Sequence, residues 1–277
     1  MIKKKIWGFI RLLRPEISIF GMLCVYIGSI ASGSVLLSTE LIYGMVAVFF
    51  IGAGSMPFND YFDWEIDKLN HPNRPLSSGI FKPIFGLQIG IIFFIIGLIL
   101  SLLINYLCFI IATIAIFLII IYEIAYKNKT FIGNIIVAFT TAISFTYGGA
   151  IIGELIKPTF FTLISFLIFL AREIIMDVRD FEGDKITRIT LPIRVGRKPA
   201  AYFASILIII SMILLFLPSY LGIFSNNWYI YSAVPVALIT VYSIIILYKN
   251  INNAGKTSNI LRITMAAGLI IFIIALI

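Results

Sequence analysis

Apolar residues run in long blocks along this chain, broken by short polar stretches. Nine blocks are long enough for the roughly 20 apolar residues that a membrane-crossing helix needs. They cover approximately residues 17–37, 41–62, 84–104, 107–126, 131–153, 158–178, 199–219, 228–248 and 260–277. Before the first block, Ile6, Phe9, Ile10 and Leu13 stand opposite basic residues, the pattern of a short helix lying on a membrane interface. Pro15 suits the first turn of the span that follows. The expected fold is all-α: a single polytopic bundle of about nine transmembrane helices spanning residues 1–277.

Composition agrees with that pattern, since 61% of the 277 residues are hydrophobic and 12% charged, and the mean hydropathy is +1.07. The net charge of +8 raises nucleic acid as a partner, but the positions of the basic residues argue for topology instead. Lys3 to Arg14, Lys68, Arg74, Lys82, Lys127, Lys129, the Arg172 to Lys198 group, Lys249, Lys256 and Arg262 all fall on one side of an alternating topology; Lys157 alone falls on the other. The positive-inside rule then places the N-terminus in the cytoplasm and the C-terminus outside. Arg11 and Arg14 also interrupt the N-terminal stretch where a cleavable signal peptide would need an apolar core. Cys24 and Cys108 lie inside spans without ligand spacing and read as packing residues. Trp7, Trp64 and Trp228 lie near span ends, as interface anchors do. In span five, Thr140, Thr141, Ser144, Thr146, Gly148 and Gly149 serve either close helix packing or a cavity wall.

The chemistry is concentrated at two span ends. Asp60, Asp63 and Asp67 are spaced by three and then four residues, which stacks them on one helical face. The spacing returns in Asp177, Asp180 and Asp184. Stacked like charges repel by roughly 0.2–0.5 kcal/mol per pair, so a cation belongs beside them. Both clusters fall on the basic, cytoplasmic side, four spans apart, which suggests a parallel repeat of 41–153 on 158–277. Magnesium prefers carboxylate oxygens and is commonly shared with substrate phosphates; the absence of His and Cys from both stretches argues against zinc. Two such clusters facing one another suit a metal-held diphosphate, and an isoprenoid diphosphate also has a tail for the bilayer. The bland alternative is a set of solvated helix-end charges. A divalent cation transporter is the rival from another class, although its acids belong near the midplane, where spans one, three, seven, eight and nine are nearly free of charge.

At these residues the chain resembles the UbiA superfamily of intramembrane prenyltransferases. Asn59-Asp60, Asp63 and Asp67, followed by Asn70, Pro72, Arg74-Pro75 and Ser78-Gly79, are similar to its first motif. Asp177, Asp180, Glu182-Gly183-Asp184, Thr190-Leu191-Pro192 and Gly196 are similar to its second. Arg14-Pro15 and the stretch from Tyr122 through Tyr126-Lys127, Lys129 and Thr130 also resemble the family. The resemblance implies that Asn59 and the six aspartates hold a magnesium-diphosphate, with Arg14, Arg74, Lys127, Lys129 and Lys185 meeting phosphate and Lys68 a weaker candidate. It also implies that Tyr122 and Tyr126 either face the carbocation or pack at the interface. Glu16, Glu123 and Glu173 are left as acceptor contacts or helix-end charges. Arg172-Glu173-Ile174 ahead of the second motif most resembles the archaeal ether-lipid branch, which implies geranylgeranyl transfer to the hydroxyl of a lipid-phosphate acceptor, geranylgeranylglyceryl phosphate. An aromatic quinone precursor is the alternative acceptor. The expected protein is a multi-pass cell-membrane enzyme with no nucleic-acid partner, working on its cytoplasmic side.

Overall fold

A computed structural model describes residues 2–34, 36–127, 130–185, 189–224 and 228–276. The order is α1 (Ile2–Leu13), α2 (Pro15–Ala31), α3 (Thr39–Asn70), α4 (Pro83–Ile104), α5 (Tyr106–Ile121) with a π-helical turn at Tyr122–Tyr126, α6 (Thr130–Ala150), α7 (Ile156–Asp184), α8 (Leu191–Val195), α9 (Arg197–Leu214), α10 (Leu217–Tyr220), α11 (Trp228–Lys249) and α12 (Ala254–Leu276). Among the described residues, eight helices are long and apolar enough to cross a membrane, and α2 is a shorter apolar helix. The protein is therefore a multi-pass helical bundle, and these nine segments answer to the nine blocks of sequence.

Several boundaries differ from those expected, each for a physical reason. Helices α3 and α7 run for 32 and 29 residues and carry both acidic motifs to their last aspartates. Hydropathy ends a span where charge begins, yet paired charges on one helical face cost the helix little. Helix α9 stops at Leu214, and Pro218 then starts the short α10, because proline fits a first turn and breaks an interior one. Helix α12 begins at Ala254 rather than near Ile260; its polar first turns bury Thr257 and Ser258, with Thr257 Oγ1 donating to the Ser243 carbonyl. On α1, Gly8 and Leu12 are buried while Ile6, Trp7 and Ile10 are exposed, as an interfacial helix requires.

Helices α2 and α6 contribute to two apolar cores. One joins them to α7, α9, α11 and α12; the other joins them to α3, α4 and α5. Close approach makes this shared wall possible. A Cβ on Gly28 would lie 2.0 Å from the Phe145 carbonyl oxygen, and one on Gly148 would lie 2.1 Å from that of Val25. The small residues of span five thus serve packing, the first of the two readings open in sequence. Thr146 and Thr162 hydroxyls share a bond of 2.7 Å between α6 and α7, while Thr140 and Thr141 bond back to their own helix. Cys24 and Cys108 are free and buried.

Gly28→Val would force α2 off α6, and overpacking of this kind costs roughly 1–3 kcal/mol. A lowered melting temperature in detergent is expected. Gly183→Ala, where an added Cβ meets nothing within 4 Å, should melt no lower than the parent.

Candidate active site

The face of α3 near its C-terminal end carries Asp60, Asp63 and Asp67, only 1%, 9% and 4% exposed. Buried carboxylates need partners, and three separate segments supply them. Arg14 Nη2 donates to Asp60 Oδ1 at 2.6 Å. Arg74 Nη1 bonds Asp67 Oδ2 and reaches Asp60 Oδ1 at 3.5 Å. Lys127 Nζ lies 2.8 Å from Asp63 Oδ2 and 2.6 Å from Glu123 Oε2. Asn59 Nδ2 donates to the other oxygen of Glu123. The result is a ladder along one helix, with a cation bonded to each aspartate.

Local backbone choices aim these cations. Arg14 has φ 45°, the one positive φ outside glycine among the described residues. Such a conformation costs on the order of 1–2 kcal/mol for an L-residue. Pro15 disfavours the α-helical region for the residue before it, and the resulting joint between α1 and α2 turns the guanidinium onto Asp60. Lys127 follows the π turn, closed by its N–H donating to the Tyr122 carbonyl at 2.7 Å. Such turns shift helix register and recur at functional sites. Here the turn accompanies burial of Glu123 and the placing of Lys127 across from α3.

The second motif is more open. Asp177 Oδ2 accepts from Asn134 Nδ2 of α6 at 2.8 Å. Asp180 is held bidentate by Arg179, at 2.7 and 2.6 Å, with both side chains nearly half exposed. Lys185 pairs with Glu182 at 2.9 Å and stands 4.6 Å over the Phe181 ring, so its ammonium is engaged locally on an exposed surface. Lys68 sits 3.8 Å over the Trp64 ring. His71 caps the end of α3 through its backbone. Lys129 lies outside the described residues.

Asp177 of the second motif lines a cavity of about 60 Å³ together with Tyr122, Lys127, Asn134, Glu173 and Thr190, and the first motif reaches it only through Lys127. Lys127, bonded to Asp63, and Asp177 thus share one wall. Tyr126 is half-buried at the end of the π turn. Asp180 and Asp184 are not among the lining residues. Among the described residues, no three His, Cys, Asp or Glu side chains form a ready metal-binding group; the carboxylates face cations rather than each other. The donor set still fits magnesium. All its charged donors are carboxylate oxygens, and Asp60 Oδ2 is buried with no hydrogen-bond partner among the described residues. When all are ionised, Asp60, Asp63, Asp67 and Glu123 outnumber Arg14, Arg74 and Lys127 by one charge, so a further cation is favoured.

Asn134 is the site residue that sequence reasoning did not single out; Glu123 was read as an acceptor contact or helix-end charge, and its bonds to Asn59 and Lys127 were not foreseen. The Glu123/Lys127 spacing of four was a readable signal. Asn134 left none, because its partner is 43 positions away.

The chain matches the UbiA prenyltransferase family over residues 20–270. It is 33% identical to digeranylgeranylglyceryl phosphate synthase of Thermococcus kodakarensis over 272 residues, covering 97% of each chain. It superposes on a solved structure of digeranylgeranylglyceryl phosphate synthase with a TM-score of 0.83, at 34% identity and 99% coverage of both chains. A UbiA homologue from Archaeoglobus fulgidus bound to GPP and Mg2+ shares the fold, with a TM-score of 0.67 at 20% identity over 96% of this chain and 99% of that one. An acid ladder at the end of a membrane bundle, on a chain this similar to these proteins along nearly its whole length, carries one conclusion: the protein is a prenyltransferase and belongs to the UbiA prenyltransferase family.

Proposed function

We propose that the protein transfers a geranylgeranyl group from geranylgeranyl diphosphate to the free hydroxyl of geranylgeranylglyceryl phosphate, with magnesium, at the cytoplasmic face of the membrane. The observation that carries this reading is the buried ladder of Asp60, Asp63 and Asp67 with its three cations, opening through Lys127 onto the cavity of Asp177. The relatives named for this reaction support the choice of acceptor. Helix-end carboxylates in a family of transferases leave no role that a cation transporter would explain better.

In this reading Asn59, Asp60, Asp63, Asp67, Asp177, Asp180 and Asp184 would hold the metal when the diphosphate is bound. Magnesium, when bound, stabilises the charge that develops on the departing diphosphate. Arg14, Arg74 and Lys127 exchange their carboxylate partners for phosphate oxygens, which arginine meets in bidentate fashion. The allylic carbon–oxygen bond breaks, the diphosphate leaves with the bonding pair, and the acceptor oxygen forms the new ether bond. Tyr122, on the cavity wall, presents an aromatic ring to the electron-poor carbon. Glu173 lines the same cavity outside the aspartate motif and takes the hydroxyl proton. The apolar helices keep water from the cation, which would otherwise hydrolyse.

Purified protein in lipid, given magnesium, labelled geranylgeranyl diphosphate and geranylgeranylglyceryl phosphate, should yield the doubly prenylated glycerol phosphate; product from 4-hydroxybenzoate alone would overturn the acceptor. Asp63→Ala and Asp180→Ala should each lower turnover by about 100-fold or more while the protein stays folded and membrane-inserted; near-normal rates in either would remove the metal-diphosphate reading. Glu123→Gln keeps an acceptor for Asn59 but removes one of the two charges holding Lys127. About a tenfold fall in kcat/KM for the donor is expected from steady-state kinetics, and an unchanged value would show that the Glu123–Lys127 pair does not position the site.

A further inference from the structure

A second group of charges on α7 takes no part in the ladder. Arg172 donates to Glu173 Oε1 over 3.4 Å, longer than a well-formed charge-assisted bond. Its Nε is buried and has no hydrogen-bond partner among the described residues. An arginine carries five donors in a planar fork, and a buried donor without a partner is costly. Arg179 and, from α12, Arg262 both lie close enough to act on Arg172 as like charges. Asp180 holds Arg179 and Glu173 holds Arg172 loosely, whereas Arg262 pairs with no carboxylate among the described residues. Around Arg172 itself two guanidinium groups act against one carboxylate, so its immediate surroundings are positive where two helices pack. Such an arrangement suits an anion.

What lies beneath these arginines says which anion. A mostly apolar cavity of about 50 Å³ between the helices is lined by residues that include Phe20, Ile168, Phe169, Thr240, Met265 and Phe272. That is room for several methylene-sized groups. Arg172 stands three and four residues after Phe169 and Ile168, one turn above them on the same side of α7. Side chains on a helix lean toward its N-terminus, here toward those two cavity residues. Arg262 stands three residues before Met265, again one turn from the cavity on the side of the acidic helix ends. Two arginines from two helices thus stand about one turn from one apolar cavity, both on the side of the acidic helix ends, without lining it. Glu173, next to Arg172, lines the other cavity, where Asp177 and Lys127 meet.

We infer that Arg172 and Arg262 form the binding site for the phosphate of the acceptor, a phosphate monoester carried on an isoprenyl glycerol ether. This rests on the acceptor proposed above. The near end of the isoprenyl chain enters the cavity of Phe169 and Phe272, the phosphate sits on the arginines, and the glycerol hydroxyl reaches past Glu173 toward the donor. An aromatic acid would bring a carboxylate for the arginines but no isoprenyl chain for the cavity beside them. The site separates the acceptor's phosphate from the donor's diphosphate by giving each its own cations.

The test is direct binding in detergent of geranylgeranylglyceryl phosphate, geranylgeranylglycerol and glycerol phosphate to the full chain, Arg172→Gln, Arg172→Lys and the exposed-site variant Arg262→Gln. The parent should bind the phosphate-bearing ether more tightly than either fragment. Arg172→Gln and Arg262→Gln should each lose about tenfold in that affinity, the scale of a charged hydrogen bond. Both should leave geranylgeranylglycerol and magnesium-dependent geranylgeranyl diphosphate binding unchanged, with partial recovery in Arg172→Lys. Unchanged affinity for the phosphate ether in both Gln variants would overturn the inference and leave the proposed reaction standing. Glycerol phosphate binding as tightly as the lipid would overturn the placing of the chain. A parent that prenylates only an aromatic ring would overturn the proposed reaction and this site with it.

Discussion

Burying three like charges on one helical face is the constraint to which the rest of the structure answers. Asp60, Asp63 and Asp67 are almost wholly removed from solvent, and without counter-charges that face would not fold. The counter-charges come from the joint before α2, the loop after α3 and the turn after α5, so satisfying α3 draws three distant segments to one end of the bundle. The left-handed backbone of Arg14 and the π turn before Lys127 are local departures from ideal geometry that this demand sustains. Fold and site are one electrostatic problem here.

That arrangement fits the proposed reaction. Cations bonded to carboxylates neutralise the helix face, and under the proposal the same groups would turn to phosphate oxygens when a diphosphate arrives with its metal. The one-charge excess of carboxylates in the ladder favours the metal. The second motif is looser, with Asp180 on its neighbour Arg179 and Asp184 at the helix end. The first half of the site is thus held by ion pairs from three other segments, and the second by one long-range hydrogen bond, Asn134 to Asp177, and by local ion pairs.

Much of this was legible in the chain. Apolar blocks marked eight helices long enough to cross a membrane and the shorter apolar α2, and the aspartate spacing marked both the shared face and the need for cations beside it. Which cations would answer was only partly legible: Arg74 is seven residues from Asp67, but Arg14 is 46 positions from Asp60 and no local pattern links them. Helix ends were misplaced where hydropathy is a poor guide. The paired charges of α3 and α7 continue the helices, and the polar first turns of α12 bury Thr257 and Ser258. Glu123 was visible as a helix-end charge, yet its role follows from Asn59 and Lys127 converging on it in space.

The most direct test of the ladder as the diphosphate-loading site is a structure with magnesium and a thio-diphosphate analogue of the donor. The account predicts metal on Asp60, Asp63 or Asp67 and on the second motif, with Arg14, Arg74 and Lys127 moved onto phosphate oxygens. A diphosphate bound elsewhere, with all three cations still on their aspartates, would contradict it.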